Sequence, residues 1–325
     1  MLQSTRHISQ LVRRNFSTKH PSLANIKKVG VVGLGLMGHG VAQMAAQAGY
    51  NVYAIEAQQE ALDLGLKRIE TSLGKVVAKD VKNGKRTEEE GKAYCNTVMG
   101  KIQPTTNVAQ AHDCDLIIEA IAEHRDLKNQ FYKALGPQIK PSCIFASNTS
   151  SLQITEMAVA SNRPKNFVGL HFFNPVQMMK LVEVIRTEHT DQDVYDTVTE
   201  FGKDIGKTTV SCGDTPGFIV NRLLVPYLTS AMEMIDRNDA SIADIDVSMK
   251  LGAGHPMGPL QLSDYIGLDT IYSILEGWRK LPGGEKFPAM PLVLEKLYED
   301  GEFGRKSGKG FYHWDGDKIG SPREL

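Results

Sequence analysis

Apolar and polar positions divide the chain into two regimes. Up to about residue 213, short apolar runs alternate with stretches of helical periodicity; from about Pro216 the periodicity is helical. The first run, residues 27–32, reads as a short buried strand. Val41, Met44, Ala45 and Ala48 then recur at i, i+3, i+4 and i+7, one face of a helix. A second run, Asn51–Ile55, ends on Glu56. Two helical stretches follow, about 60–81 and 88–99, separated by Lys82-Asn83-Gly84-Lys85. Runs at 116–118, 143–146, 167–170 and 181–185 resume the strand pattern, with a helix at about 125–135 between the first two. Strands alternating with helices predict an α/β fold: a Rossmann-like, doubly wound, mainly parallel sheet covered on both faces, with a helical-hairpin insertion. Residues 218–236 read as one long apolar-rich helix. Ser241 is placed to cap the next, which carries Ile242, Ile245 and Met249 on one side. The turn residues Asp214-Thr215-Pro216-Gly217 mark a boundary. The expected units are a leader (1–25), the α/β domain (26–213) and a smaller all-helical domain (214–325).

The glycines between the first strand and helix attach a chemistry to this pattern. Gly33, Gly35 and Gly38 fit G-x-G-x-x-G, with Leu34, Leu36 and Met37 between them. In a dinucleotide site the first glycine permits a tight turn. The second lets the backbone approach a pyrophosphate, and the third lets the helix sit close on the sheet. The helix N-terminus offers unpaired N–H groups and a positive dipole end to phosphates. Glu56, at the end of the second strand, is placed to accept hydrogen bonds from both ribose hydroxyls and to repel a 2′-phosphate. Ala57-Gln58-Gln59 follow it without an arginine, which favours NAD over NADP. The glycine pattern alone also occurs at helix N-termini that bind no nucleotide; here strand, glycines, helix, strand and acid come in order.

Composition narrows the classes. The chain has 325 residues, 23% of them charged, and a net charge of −1. It is long enough for two domains, and its charge gives no bulk reason to expect nucleic acid or a membrane surface as partner. No apolar run reaches the length of a spanning helix. Cys95, Cys114, Cys143 and Cys212 are scattered without C-x-x-C spacing, so neither a metal site nor a disulfide framework is expected. The N-terminus carries an address. No acid precedes Glu56, Arg6, Arg13, Arg14 and Lys19 are basic, and Ile8, Leu11, Val12 and Phe16 make an apolar stripe. That is the pattern of a mitochondrial transit peptide; the bland alternative is a disordered basic tail.

In open α/β sheets, ligands sit beyond the carboxyl ends of the strands. Polar residues directly after the apolar runs are therefore the candidates: Glu123, then Ser147-Asn148-Thr149-Ser150-Ser151, then His171 before Phe172-Phe173-Asn174-Pro175. His171 suits proton exchange near neutral pH, which an alcohol losing hydride to NAD requires; the alternative is a core histidine bonded to backbone. Glu183 interrupts the apolar run 181–185. If buried it needs a partner, and a histidine one strand away would serve, with the carboxylate fixing the tautomer; the alternative is an edge strand with Glu183 in water. Ser150 and Asn221 are candidates to bind the reacting oxygen, or else merely cap backbone. Lys75, Lys79, Lys82, Lys85 and Arg86 gather positive charge near the tip of the helical hairpin, either to grip a phosphorylated substrate or as a solvated face.

Together these residues resemble the short-chain L-3-hydroxyacyl-CoA dehydrogenases of mitochondrial β-oxidation, over nearly the whole chain after the leader. The resemblance is carried by the glycine motif 33–38, the segment 147–152, His171-Phe172-Phe173-Asn174-Pro175, Leu181-Val182-Glu183-Val184-Ile185, the segment 214–222 and Gly304-Arg305-Lys306-Ser307-Gly308-Lys309-Gly310-Phe311-Tyr312. It implies a NAD domain followed by an all-helical domain that forms a homodimer, acting in the mitochondrial matrix. It implies His171 as general base with Glu183 as its partner, and Ser150 and Asn221 as polar contacts to substrate. NAD contacts implied are Gly33, Gly35, Leu36, Met37, Gly38, Glu56, Glu123, Lys128, Ser150, Asn174 and Lys306. Ser72 and Lys79, with Ser150, correspond to contacts with the coenzyme A substrate, which turns the basic hairpin toward the phosphate grip. The family often has Asp where this chain has Glu56. Functional residues on both sides of the boundary suggest that the domains close over substrate. Two other readings share the framework: a dehydrogenase of a non-CoA 3-hydroxy acid such as a sugar acid, and a catalytically silent NAD-binding or partner-binding protein.

Overall fold

The computed structural model describes residues 26–325; the leader, and with it the expected transit peptide, lies outside the described residues. The chain opens with β1 (Lys28–Val32), α1 (Gly38–Gln47) and β2 (Asn51–Ile55). The hairpin is α2 (Gln59–Lys82) and α3 (Glu88–Met99). Thr87 starts α3 with a reciprocal cap, its side chain accepting from the Glu90 N–H while the Glu90 carboxylate accepts from the Thr87 N–H. There follow β3 (Ile102–Thr105), β4 (Leu116–Glu119), α4 (Arg125–Leu135), β5 (Ile144–Ser147), α5 (Ile154–Ala160), β6 (Phe167–Phe172), β7 (Leu181–Arg186), α6 (Gln192–Asp204) and β8 (Thr208–Gly213).

These eight strands form one sheet in the order β3-β2-β1-β4-β5-β6-β7-β8. Neighbours run parallel except β6 and β7, which are antiparallel. Residues 173–180 join those two strands and are too few for the crossover that parallel neighbours need. Because β8 pairs outside β7, Glu183 does not lie on an edge strand.

Alternation sorts each strand onto two covered faces. Val29 and Val31 of β1, Leu116 and Ile118 of β4, and Ile144 and Ala146 of β5 pack with Val41, Ala42 and Ala45 of α1 and Ile69 and Leu73 of α2. Val32, Ile117 and Phe145 point the other way, toward Tyr132 and Phe167. The α1 stripe is shorter than its periodicity predicts: the helix stops at Gln47 and Ala48 is its exposed C-cap.

The second core belongs to α7 (Val220–Asp236), α8 (Ile242–Gly252), α9 (Pro259–Ile266), α10 (Leu268–Arg279) and α11 (Leu292–Glu299), where Leu228, Met232, Leu260, Leu275 and Leu294 are buried together. α7 does not begin at Phe218. Gly217 and Phe218 have φ of 82° and 52°, outside the right-handed helical region. Nor is this part all-helical. β9 (Tyr312–Asp315) and β10 (Lys318–Pro322) form an antiparallel hairpin turned at Gly316, φ 58°. The buried Asp264 carboxylate holds it to α9, accepting from the N–H groups of Phe311 and Tyr312 and from Trp314 Nε1, each at 2.9 Å.

Candidate active site

Three glycines shape the turn out of β1, and each is required differently. Gly33 has φ 89°, and a Cβ there would stand 2.6 Å from the Ala120 carbonyl oxygen. A Cβ on Gly38 would fall 1.7 Å from the Gly33 oxygen. Among the described residues nothing lies within 4 Å of a Cβ built on Gly35, so these residues leave its backbone bare. That is the shape a pyrophosphate needs at a helix N-terminus, so these residues fit a dinucleotide. Leu36 is 63% exposed and Met37 is the N-cap of α1. His39, unremarked in the sequence pattern, donates from Nδ1 to the Gly35 carbonyl at 2.7 Å; burial pushes its pKa down. Glu56 Oε2 accepts from the Leu34 N–H at 2.9 Å and Oε1 from the Ala57 N–H at 2.8 Å. One lone pair on each oxygen is thus committed to the loop, leaving the others for a diol.

At the ends of β4 and β5 lies a cluster that sequence reasoning resolved only in part. Glu119, fully buried, is 2.5 Å from Lys128 Nζ, and Lys128 Nζ is 3.3 Å from Glu123 Oε2. Lys128 is itself buried, at 1% exposure, and bridges the two carboxylates. Glu123 Oε1 accepts from Thr149 Oγ1 at 2.6 Å and from the Ser150 N–H at 2.8 Å. Burial works against the charge of Glu123, but Lys128, Thr149 and Ser150 outweigh it and hold its pKa below the ordinary carboxylate value. Glu119 was missed, although a carboxylate closing the apolar run 116–118 was a signal of the same kind as Glu183.

His171 and Glu183 face each other as a cross-strand pair of β6 and β7. Nδ1 of His171 lies 2.7 Å from Glu183 Oε2, with the side chains 6% and 0% exposed. The other oxygen of Glu183 accepts from the N–H groups of Ile219 and Val220, at 3.1 and 2.9 Å, in the first turn of α7. Burial alone would raise the pKa of Glu183; the hydrogen bonds from His171, Val220 and Ile219 reverse that and lower it. An ionised acceptor at Nδ1 requires the proton there, which leaves the Nε2 lone pair free. Phe173 and Phe218 flank the ring, with centroids 4.5 and 5.5 Å away.

Asn221 Nδ2 donates to the Ser150 carbonyl at 3.2 Å, joining the two expected polar contacts across the boundary. A cleft of about 890 Å³ opens beside them, with Glu123, Ser150 and Ser151 on one side and Asp269, Ser273 and Trp278 on the other. Asn174 is exposed at the end of β6. Lys306 pairs with Asp269 of that cleft. Ser72 and Lys79 are two turns apart on α2, and their side chains make no hydrogen bond or ion pair among the described residues. Arg86 departs from the basic tip: it pairs with Asp80 at 3.5 Å and lies over the Tyr94 ring.

Comparison with known proteins agrees with this geometry. The NAD binding domain of the 3-hydroxyacyl-CoA dehydrogenase family matches residues 28–215, and that family's C-terminal domain matches residues 217–314. The chain is 46% identical over 290 residues to the human protein named hydroxyacyl-coenzyme A dehydrogenase, mitochondrial, covering 89% of this chain and 91% of the other. It is 47% identical over 287 residues to a probable 3-hydroxybutyryl-CoA dehydrogenase of Deinococcus radiodurans, covering 88% and 100%. The crystal structure of (S)-3-hydroxybutyryl-CoA dehydrogenase from Ralstonia eutropha superposes with a TM-score of 0.82 at 34% identity, covering 89% and 99%. The chain therefore belongs to the 3-hydroxyacyl-CoA dehydrogenase family, with that family's NAD-binding domain first and its C-terminal domain second, and is an NAD-dependent oxidoreductase.

Proposed function

We propose that the chain oxidises L-3-hydroxyacyl-CoA to 3-ketoacyl-CoA, reversibly, with His171 as general base. The observation that carries this is the buried 2.7 Å contact between His171 Nδ1 and Glu183 beside a dinucleotide-type glycine turn. NAD, held by the glycine turn and Glu56, would supply the acceptor for the hydride of the carbinol carbon. His171 Nε2 takes the hydroxyl proton while Glu183, fixed by two backbone N–H groups, keeps the proton on Nδ1 and stabilises the imidazolium. In reverse the same imidazolium protonates the developing alkoxide. Asn221 spends one amide hydrogen on the Ser150 carbonyl; its second hydrogen orients the reacting oxygen, joined by the Ser150 hydroxyl once that turns from Glu123 Oε1, to which it donates at 3.2 Å. Phe173 and Phe218 keep water from the ring. Gly33, Gly35, Leu36, Met37 and Gly38 cradle the cofactor diphosphate, Glu56 the ribose, and Glu123, Asn174 and Lys306 the nicotinamide end. Lys128 acts on the cofactor through Glu123.

Half-buried Ser72 and exposed Lys79 of α2, together with Lys75, Lys82 and Lys85, which have no ion-pair partner among the described residues, take the coenzyme A phosphates. Residues 26–213 form the cofactor unit and 214–325 the substrate and dimerisation unit, closing over the substrate. A homodimer through the second unit is supported by its exposed apolar residues Leu223, Val247, Leu251 and Leu292. The acid-free leader, and the mitochondrial names of the human and pig relatives, support the mitochondrial matrix. The test is NADH oxidation with acetoacetyl-CoA beside free 3-keto acids, using the purified protein. Turnover restricted to the thioester supports the reading. Preference for the free acid supports a sugar-acid-type enzyme instead, and absence of turnover a silent binder.

A further inference from the structure

The cluster at the end of β4 carries more charge than packing requires. Counting Glu119 and Glu123 as carboxylates and Lys128 as ammonium, its net charge is −1, and no second cation pairs with either acid among the described residues. Glu119 is held further by Ser147 Oγ at 2.7 Å and by the Ile121 N–H at 2.8 Å. The Glu119–Lys128 pair is buried while the Glu123 side chain is 37% exposed, so the unmatched negative charge sits on Glu123, at the wall of the cleft. A cation bound in the cleft would meet that charge directly. The glycine turn and Glu56 would hold the adenosine half of a dinucleotide over β1 and β2, and the second mononucleotide half would then fall over β4 and β5, toward the cleft wall that carries Glu123 and Ser150. A nicotinamide ring is a cation when oxidised and neutral when reduced.

We propose that the Glu119–Lys128–Glu123 cluster is an electrostatic device that favours the oxidised cofactor over the reduced one, with Glu119 as a positioning residue that sets its charge. The proposal rests on the dehydrogenase reading above. Glu119 occupies part of the Lys128 ammonium. Without it, Lys128 neutralises Glu123 and the wall facing the ring loses its negative charge. Glu119 also keeps Lys128 buried, so that Glu123 alone faces Thr149 and Ser150.

The test is separate titration of the full-length protein with NAD+ and with NADH, reporting the ratio of the two dissociation constants. Glu119→Gln removes one negative charge at constant shape. NAD+ binding is expected to weaken relative to NADH on the order of fivefold, the effect of a nearby unit charge at a partly hydrated site. Glu123→Gln makes the same change in charge and serves where Glu119→Gln does not fold. The double variant, at net +1, is expected to move the ratio further in the same direction. A ratio within about twofold of wild type in the variants that fold, with both affinities falling together, overturns the proposal and leaves Glu119 a structural residue. Wild-type protein that binds neither nucleotide refutes the dehydrogenase reading itself, and this proposal with it.

Discussion

Replacing Glu183 by glutamine isolates what its charge does, because the surroundings dictate how the amide must sit. Glu183 Oε1 accepts two backbone N–H groups, from Ile219 and Val220. An amide NH2 turned toward them would leave donors facing donors, at about 1–3 kcal/mol for each unsatisfied group. The amide oxygen therefore stays with α7, and the NH2 group faces His171 Nδ1. Nδ1 must then accept, which moves the ring proton to Nε2, the atom that should take the substrate proton. The wrong tautomer in an otherwise intact site costs about 10³–10⁴ in turnover, from the behaviour of other histidine–carboxylate pairs. That corresponds to about 4–5.5 kcal/mol of transition-state stabilisation. The assay is steady-state oxidation of L-3-hydroxybutyryl-CoA by NAD+, with NADH affinity and melting temperature measured on the same preparation. Affinity is expected to stay near wild type and melting to fall modestly with the loss of the carboxylate's charge, while kcat collapses. A folded Glu183→Gln protein with kcat within about tenfold of wild type would refute the tautomer argument and the role given to the pair.

Further outcomes follow from the same geometry. His171→Gln is expected to lower kcat by about 10²–10⁴ with NADH binding near normal; wild-type turnover would remove His171 from the mechanism. Gly35→Ala meets no atom of the described residues within 4 Å, so its melting temperature should shift by under about 2 °C while NADH affinity falls about tenfold or more. Unchanged affinity would mean that no pyrophosphate approaches there. Lys79→Ala should raise KM for acetoacetyl-CoA about three- to tenfold and leave kcat nearly unchanged; an unchanged KM returns that charge to the solvated surface. The pKa of Glu183 is lowered from an ordinary 4.5 in the folded state. Its contribution to stability is therefore complete above about 4.5 and lost as pH falls through the depressed folded value. Glu183→Gln should flatten the acid limb of a stability–pH curve, measured by urea unfolding, and an equally steep limb would show that other carboxylates control it.

What could be read from the chain beforehand followed from how strong and how local each signal was. The α2–α3 hairpin is legible because its helices are long and periodic and break at Asn83-Gly84; the observed bounds differ from the expected ones by no more than a residue. His171 and Glu183 were legible as a pair because a polar residue inside a run of β-branched neighbours has few ways to be buried. Their meeting across an antiparallel ladder depended on the brevity of 173–180, a property of the connection rather than of either strand. β3 and β8 escaped notice: Ile102–Thr105 contains Pro104, and Thr208–Gly213 is largely half-exposed and polar. The β9–β10 hairpin was read as helix territory because its anchor, Asp264, lies far back in the sequence. Lys128 entered only as a cofactor contact implied by the family resemblance, because nothing local announces that Glu119, nine positions earlier, folds over its ammonium.

The bond from Glu183 to the first turn of α7 bears on how such proteins are inherited and engineered. A recombinant that exchanged C-terminal halves among relatives would import the backbone of Ile219 and Val220, and with it the setting of a residue encoded in the other half. Crossovers that carry Gly217 through Val220 intact with the incoming helix keep that register, whereas a graft that shifts the turn by one residue breaks it while leaving both halves folded. In the proposed mechanism the junction is thus part of the catalyst, and chimeras should be designed around it before any loop is altered.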